Sequence, residues 1–261
     1  MYRLPAKGEL SPQTHMSSEP QTLVVIATFN EIENLPRLTD EVFQHAPHAE
    51  VLVIDDNSPD GTGRWCDERV AQDRRFHVVH RSGKLGLGSA TIAGLKYAME
   101  HQFEFVLVMD ADFSHPPRYI PALLAGMARG ENDEGADVMI GSRYVAGGGI
   151  EGWPLHRRWM SRGVNTYARW MLGLKSRDCS GAFRCYRTEI LRRVDLDSMR
   201  SRGYSYVEEL LWLLKQAGAR IAEAPIVFVD RRHGRTKINW REAIAALVIL
   251  FRLGIQNYLH F

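Results

Sequence analysis

The 261-residue sequence is poor in cysteine. Cys66, Cys179 and Cys185 are odd in number and lack zinc-site spacing, which argues against a disulfide framework and for a reducing compartment. No apolar run approaches the roughly 20 residues that a membrane-spanning helix needs. The run Ala243 to Phe251 stops at Arg252. An excess of one charge is also missing: 33 Lys and Arg face 31 Asp and Glu, a net of +2. No global field therefore recruits nucleic acid, and any anion chemistry must come from local basic clusters. Residues 1–21 hold Pro, Ser, Gln and charges but no apolar h-region, so a disordered extension is expected there and not a signal peptide. Two phosphate-binding signatures are absent as well. There is no G-x-G-x-x-G after the first strand and no G-x-x-x-x-G-K-[ST], which weighs against dinucleotide dehydrogenases and P-loop NTPases. No internal repeat or low-complexity tract is visible.

What is present is ordinary for a soluble globular protein, with 45% apolar and 25% charged residues. The length suits one large α/β domain or two small ones. Short β-branched runs alternate with helical segments. Strands are predicted at Thr22–Ala27, Val51–Ile54, Phe76–His80 and Val106–Asp112. Helices are predicted at about 33–45, 63–72, 89–101 and 118–129. This alternation means βαβ units and a mostly parallel sheet. Right-handed crossovers then gather the strand-to-helix loops along one edge. Further on, Asp137–Ile140 reads as a strand, Gly147–Gly149 as a flexible loop and His156–Leu172 as an arginine-rich helix. Asp178–Tyr186 reads as a loop entering an edge strand, Tyr206–Ala217 as a helix and Ala224–Val229 as a last strand.

The stretch Val106-Leu-Val-Met-Asp110-Ala-Asp112 is the strongest chemical signal. On a continuing strand the two carboxylates share a face. At the carboxyl end of a strand, where open α/β sheets bind ligands, they suit Mg²⁺ or Mn²⁺ with diphosphate oxygens and water completing the shell. The alternative is one capping Asp and one solvated Asp. Glu31, Asp55, Asp56, Asp110 and Asp112 all fall in loops that should converge. Asp55 and Asp56 are either acceptors for sugar hydroxyls or a base N–H, or helix caps. Gly83–Gly88 is either a turn that lets a helix pack close or a nucleotide contact. Glu208 and Glu209 favour a helix dipole at their N-terminal position. Arg231, Arg232, Arg235 and Lys237 crowd into seven residues. They form either a solvated loop or, with Arg143, a phosphate site. The segment Asn239 to Phe261 reads as an amphipathic helix that packs on the domain or lies in a membrane interface, where the basic loop would favour anionic headgroups.

The order of these pieces resembles the family 2 glycosyltransferases with the GT-A fold, a Rossmann-like mostly parallel sheet flanked by helices. Within them it is similar to the polyprenyl- or dolichyl-phosphate mannose synthases. The matching stretches are Ala27-Thr-Phe-Asn-Glu31, Val53-Ile-Asp-Asp-Asn-Ser-Pro-Asp-Gly-Thr62, Lys84-Leu-Gly-Leu-Gly88, Asp110-Ala-Asp-Phe-Ser-His-Pro-Pro117, Gly141-Ser-Arg-Tyr144, Ser180-Gly-Ala-Phe-Arg184, Gly203-Tyr-Ser-Tyr206 and Phe228-Val-Asp-Arg231 with Gly234 and Thr236-Lys237. They span residues 22–238, the expected catalytic domain. Ala27 and Phe29 replace the family's usual Pro and Tyr, and Ser114 stands where some members carry Gln.

The resemblance implies an inverting, metal-dependent transfer from GDP-mannose to a polyprenyl or dolichyl monophosphate. It implies nucleotide-sugar contacts from Thr28, Phe29, Asn30, Glu31, Asp55, Asp56, Lys84, Gly86 and Asp110. It implies Mg²⁺ or Mn²⁺ on Asp110 and Asp112, and phosphate contacts from Arg143, Arg231 and Lys237. Asp112, Arg143 and Arg231 would carry the catalytic burden, with His233 and Glu208 as helpers. A phosphate acceptor is already ionised near neutral pH, so no strong base is required. The expected location is cytoplasmic and peripheral on a membrane, with a membrane partner subunit left open. The rival readings are another donor such as UDP-glucose, another acceptor, or a non-catalytic binding subunit.

Overall fold

The computed structural model describes residues 21–128, 135–201, 203–230 and 240–259, with side chains from residue 247 in the last segment. The extension at 1–20, the acidic loop at 131–134 and the basic loop with Arg231, His233 and Lys237 lie outside the described residues.

The strands are β1 (Thr22–Thr28), β2 (Glu50–Asp55), β3 (Phe76–His80), β4 (Phe105–Asp110), β5 (Val138–Ser142), β6 (Gly149–Glu151), β7 (Arg184–Arg187), β8 (Ile221–Pro225) and β9 (Val227–Val229). The helices are α1 (Leu35–His45), α2 (Thr62–Gln72), α3 (Leu87–Glu100), α4 (Ile120–Met127), α5 (Leu155–Leu172), α6 (Thr188–Leu191), α7 (Tyr206–Gln216) and α8 (Trp240–Leu259). Seven strands form the central sheet in the order β3-β2-β1-β4-β7-β5-β8, all parallel except β7.

The central strands are apolar on both faces because helices cover both. Side chains alternate across the sheet. Leu23, Val25, Leu52, Ile54, Val106 and Val108 pack toward α3, α5, α7 and α8. Val24, Ile26, Val51, Val53, Leu107 and Met109 pack toward α1, α2 and α4. Helix α1 buries Leu35, Leu38, Thr39 and Val42, the i, i+3, i+4, i+7 stripe of an amphipathic helix. Helix α3 lies so close to β1 that a Cβ on Gly94 would stand 2.3 Å from Val25 Cγ1.

Several boundaries differ from the sequence reading. Strand β4 ends at Asp110 and does not run on to Asp112. Phe113 takes φ 62°, and Asp112 Oδ1 accepts from the Ser114 amide at 3.1 Å, so the second carboxylate sits in a tight turn. Strand β7 is not an edge strand: it is inserted antiparallel between β4 and β5. Two arginines in four residues suggest exposure, but Arg184 is fully buried and donates to the carbonyls of Val207 and Cys179 at 2.8 and 2.5 Å. The last strand is two. The chain bends at Ile226, leaving β8 on the main sheet and β9 paired with β6. That pairing turns Gly149, expected in a flexible loop, into the start of a strand. Helix 118–129 begins instead with a 3-10 turn at Pro117–Tyr119 and ends at Met127, with Arg129 outside the described residues. Helix α1 starts at Leu35, two residues later than expected. Among the described residues, no helix is long and apolar enough to cross a membrane.

Candidate active site

A cavity of about 180 Å³ opens where β1, β2 and β4 end. Its lining includes Thr28, Phe29 and Glu31 after β1, Asp56 after β2, Lys84, Gly86, Leu87 and Ala90 around the start of α3, and Asp110, Ala111 and Asp112 after β4. Gly203 and Tyr204, just before α7, close it from the second half of the chain.

The loops after β1 and β2 are locked to each other. Asp60 Oδ2 accepts from the Ile32 amide at 3.1 Å, and Asp60 Oδ1 accepts from Thr62 N and Oγ1 at 3.0 and 2.6 Å. Partial burial opposes ionisation of Asp60, but these hydrogen bonds prevail and hold its carboxyl below the usual range. The Glu31 amide donates to Thr62 Oγ1 at 3.1 Å, which fixes the β1 loop against the β2 loop. Asn30, at φ 61°, donates its amide to Ser58 Oγ at 3.0 Å. Glu31 accepts from its own loop too, through Asn34 Nδ2 at 3.0 Å.

Asp55 and Asp56 separate. Asp55 is buried behind the cavity, where Oδ1 accepts from Thr28 Oγ1 at 2.9 Å and from Ser58 Oγ at 2.6 Å. It shapes the loop and is not among the residues that line this cavity. Asp56 faces the cavity. Its Oδ2 accepts from the Leu85 amide at 3.1 Å, and its Oδ1 lies 2.9 Å from Arg81 Nη1. Burial pushes its carboxyl above the ordinary value despite the Arg81 charge. Arg81 also reaches Ser89 Oγ at 2.6 Å, so one guanidinium holds the glycine loop to the β2 loop. Within that loop Gly86 takes φ 101°, a backbone conformation that favours glycine. Lys84 Nζ stands 4.7 Å from the centre of the Phe29 ring, across the cavity mouth.

Asp110 and Asp112 line the same wall. His115, five residues on from Asp110, is stacked on Phe183 with ring centres 5.1 Å apart. Its Nδ1 accepts from the Asp110 amide at 3.1 Å, so that nitrogen serves the turn and not a cation. Among the described residues, no group of three metal-binding side chains gathers. Two carboxylates at a cavity edge suit a hard cation only if other oxygens complete its shell, as a diphosphate and water do.

Arg143 is placed differently from the expectation. Its Nε and Nη2 each donate to Asp178 at 2.7 Å, and Nη2 donates to Ser180 Oγ at 3.0 Å. The rings of Tyr144, Trp153 and Phe228 surround it at 5.3, 5.7 and 5.5 Å. Burial disfavours its charge, but Asp178 outweighs that and raises its pKa, with Asp110 adding a smaller pull. It is therefore a fixed positive charge behind the Asp110 wall and not a lining residue. Glu208, read as favourable to the dipole at a helix start, is buried, and burial pushes its carboxyl up to about 7. Sequence reasoning missed Arg81, Asp178 and Tyr204. Arg81 and Tyr204 lie beside or inside quoted stretches, but the signal for Asp178 is a contact 35 positions away.

A family model, Glycosyl transferase family 2, matches residues 23–195. The undecaprenyl-phosphate mannosyltransferase of Micrococcus luteus is 40% identical over 235 residues, covering 90% of this chain and 94% of that protein. The polyprenol monophosphomannose synthase of Mycolicibacterium smegmatis is 39% identical over 240 residues, covering 92% and 89%. Among solved structures, glucosyl-3-phosphoglycerate synthase from Mycobacterium tuberculosis, bound to Mn²⁺ and UDP-glucose, aligns with a TM-score of 0.63 at 17% identity, over 92% of this chain and 79% of that one. The mannosyltransferase PcManGT from Pyrobaculum calidifontis, in complex with GDP-Man and Mn²⁺, aligns at 0.56 and 18%, over 91% and 64%.

Proposed function

Because the chain belongs to the family 2 glycosyltransferases, we propose that it moves mannose from GDP-mannose to a polyprenyl monophosphate, inverting the anomeric centre. The observation that supports this reading is a cavity lined by Glu31, Asp56, Lys84, Asp110 and Asp112, which come from four separate loops. The mannose and the lipid phosphate come from what the two relatives near 40% identity are named for.

In this reading Asp56 accepts a base N–H, with Lys84 and Phe29 beside the base and Thr28, Asn30, Glu31 and Gly86 shaping its pocket. Asp110 and Asp112 hold Mg²⁺ or Mn²⁺. When bound, that cation neutralises charge on the departing diphosphate. Arg231 and Lys237 meet the acceptor phosphate, and Arg143 adds its fixed charge from behind Asp110. The acceptor phosphate arrives ionised, so positioning and electrostatics supply most of the acceleration. A lipid-linked acceptor brings the protein to a membrane surface as a peripheral enzyme.

The test is a panel of nucleotide sugars, each with and without a short-chain polyprenyl phosphate, with Mn²⁺ or EDTA. The expected result is mannolipid and GDP from GDP-mannose alone, of inverted configuration by NMR, and none in EDTA. Asp112→Ala is expected to lower turnover roughly a thousandfold while the melting temperature stays within about 3 °C. Near-normal turnover in that variant removes the cation assignment. Transfer from UDP-glucose instead replaces the donor, and silence with every donor favours a binding subunit.

A further inference from the structure

Helix α7 begins directly after Gly203 and Tyr204, the cavity wall supplied by the second half of the chain. Its start carries two buried carboxylates, Glu208 and Glu209. A buried carboxylate is costly unless donors meet its oxygens. Glu209 finds them outside its own helix. Its Oε1 accepts from the Arg200 amide at 3.0 Å, and its Oε2 accepts from the Ser201 amide at 2.8 Å. Ser201 is itself only 1% exposed. A carboxylate that accepts from backbone N–H groups makes bonds roughly twice as strong as neutral ones. Glu208 differs: among the described residues its Oε2 meets no hydrogen-bond donor. The tether is therefore specific to Glu209.

The anchor of this tether is rigid, because Leu210, Leu211 and Leu214 fix α7 in the core. The bonds that join the wall to the helix behind it are long. The Tyr206 amide donates to the Gly203 carbonyl at 3.4 Å, and the Val207 amide to the Tyr204 carbonyl at 3.5 Å. Ser205, at the N-cap, gives the helix no side-chain cap. Among the described residues, a Cβ on Gly203 would meet no atom within 4 Å, so packing does not wedge the backbone there. The short bonds are the two to Glu209, just ahead of the wall in the chain. The opposite side of the cavity is held by a separate device, the bonds of Asp60, Thr62 and Ser58 between the β1 and β2 loops.

We propose that Glu209 is a positioning residue: by tying residues 200 and 201 to α7, it sets the Gly203–Tyr204 wall against the rest of the cavity. Glu209 is not among the lining residues and acts only through that wall. The inference rests on the donor reading above. There the loops of the first half hold the base and the cation, so the wall from the second half meets the far end of the donor, from its terminal phosphate to its sugar. A reacting group misplaced by a small distance loses much of its rate even when binding is kept.

The test is Glu209→Gln in the full chain, read by residue-resolved amide exchange and by transfer kinetics. Glutamine keeps the shape and one acceptor oxygen, but it turns an NH2 group toward an amide that is itself a donor. Exchange at Ser201 and Tyr204 should quicken about tenfold, while β1 and β4 exchange as in the parent. At saturating acceptor, kcat for mannose transfer should fall about tenfold. KM for GDP-mannose should stay within about threefold, because the base and cation contacts are intact. Glu209→Ala removes both acceptors and should go further in the same direction; if it does not fold, the glutamine variant decides alone. A merely structural role would quicken exchange across the whole sheet and lower kcat only as far as folded protein is lost. That pattern overturns the proposal, as does parent-like exchange at Ser201 and Tyr204 or a parent-like kcat. If the parent itself transfers no mannose, the donor reading has failed, and exchange at Ser201 and Tyr204 still decides whether Glu209 sets the wall.

Discussion

Adjacent residues leaving a strand point to opposite sides, and Asp55 and Asp56 divide their work accordingly. Asp55 spends its oxygens on Thr28 and Ser58, while Asp56 faces the cavity against Arg81. The side chains of that pair are only 4% and 7% exposed. Removing one partner of a buried pair leaves the other charge uncompensated, at about 3 kcal/mol. Arg81→Ala should therefore lower the unfolding free energy by that amount, and Arg81→Ala with Asp56→Ala should be less destabilised than the sum of the single variants. Strictly additive losses would show that the two do not interact. Glu208 makes a second prediction. Its folded pKa of about 7 lies above the ordinary value of 4.5, so between those values the folded state holds a proton that the unfolded chain has released. Its contribution is fully present below about 4.5 and is lost as pH rises through 7. Glu208→Gln keeps a neutral group there, and should exceed the parent in stability at pH 8 by about 3 kcal/mol while matching it at pH 4. Urea melts of both proteins across that window check this, and parallel curves would sink it. Sequence alone separated neither the two aspartates nor the burial of Glu208, because facing and depth are set by partners far along the chain.

Elements whose signal is local were legible, and elements placed by distant partners were not. The runs Leu23–Ile26, Val51–Ile54 and Val106–Met109 announce buried parallel strands by lacking alternation, and their loops converge as the crossover rule requires. Strand β7 is hidden from sequence because its arginines find distant partners: Arg184 donates to the Val207 and Cys179 carbonyls, and Arg187 to the Glu104 carboxylate and the Met127 carbonyl. The turn after Asp110 was misjudged because Phe113, a bulky residue, adopts positive φ. Helix α3 offers a test at this scale. It carries Lys84 and Gly86 at its entrance and rests on β1 through Gly94. Gly94→Ala pushes a methyl group into Val25 and should cost about 2–3 kcal/mol. Adding Val25→Ala makes room, so the double variant should recover part of that loss, a coupling visible in a double-mutant cycle. An unaltered melting temperature in Gly94→Ala would mean that α3 floats free of β1, and the entrance geometry would then need revision.

The cavity is shared by the two halves of the chain. Most of its wall comes from the loops after β1, β2, β4 and before α3, whereas Gly203 and Tyr204 arrive from beyond β7. A ligand that fills it ties both halves together, so its binding energy adds to the unfolding free energy of the whole molecule. On the proposed reading, GDP with Mn²⁺ at about 100 times its dissociation constant adds roughly 2.7 kcal/mol. For a chain of this size that corresponds to a melting shift of about 5–10 °C. The shift should shrink to a fraction of this in EDTA, because the diphosphate then meets the Asp110 and Asp112 carboxylates without a neutralising cation. In Asp112→Ala it should be equally small with or without Mn²⁺, and UDP should stabilise the parent less than GDP. Amide exchange at Tyr204 should slow in step with the melting shift, since that residue lines the far wall of the cavity. A full shift in EDTA would take the cation out of donor binding. Stabilisation by GDP with no change at Tyr204 would place the nucleotide on the first half alone and leave the far wall to the acceptor.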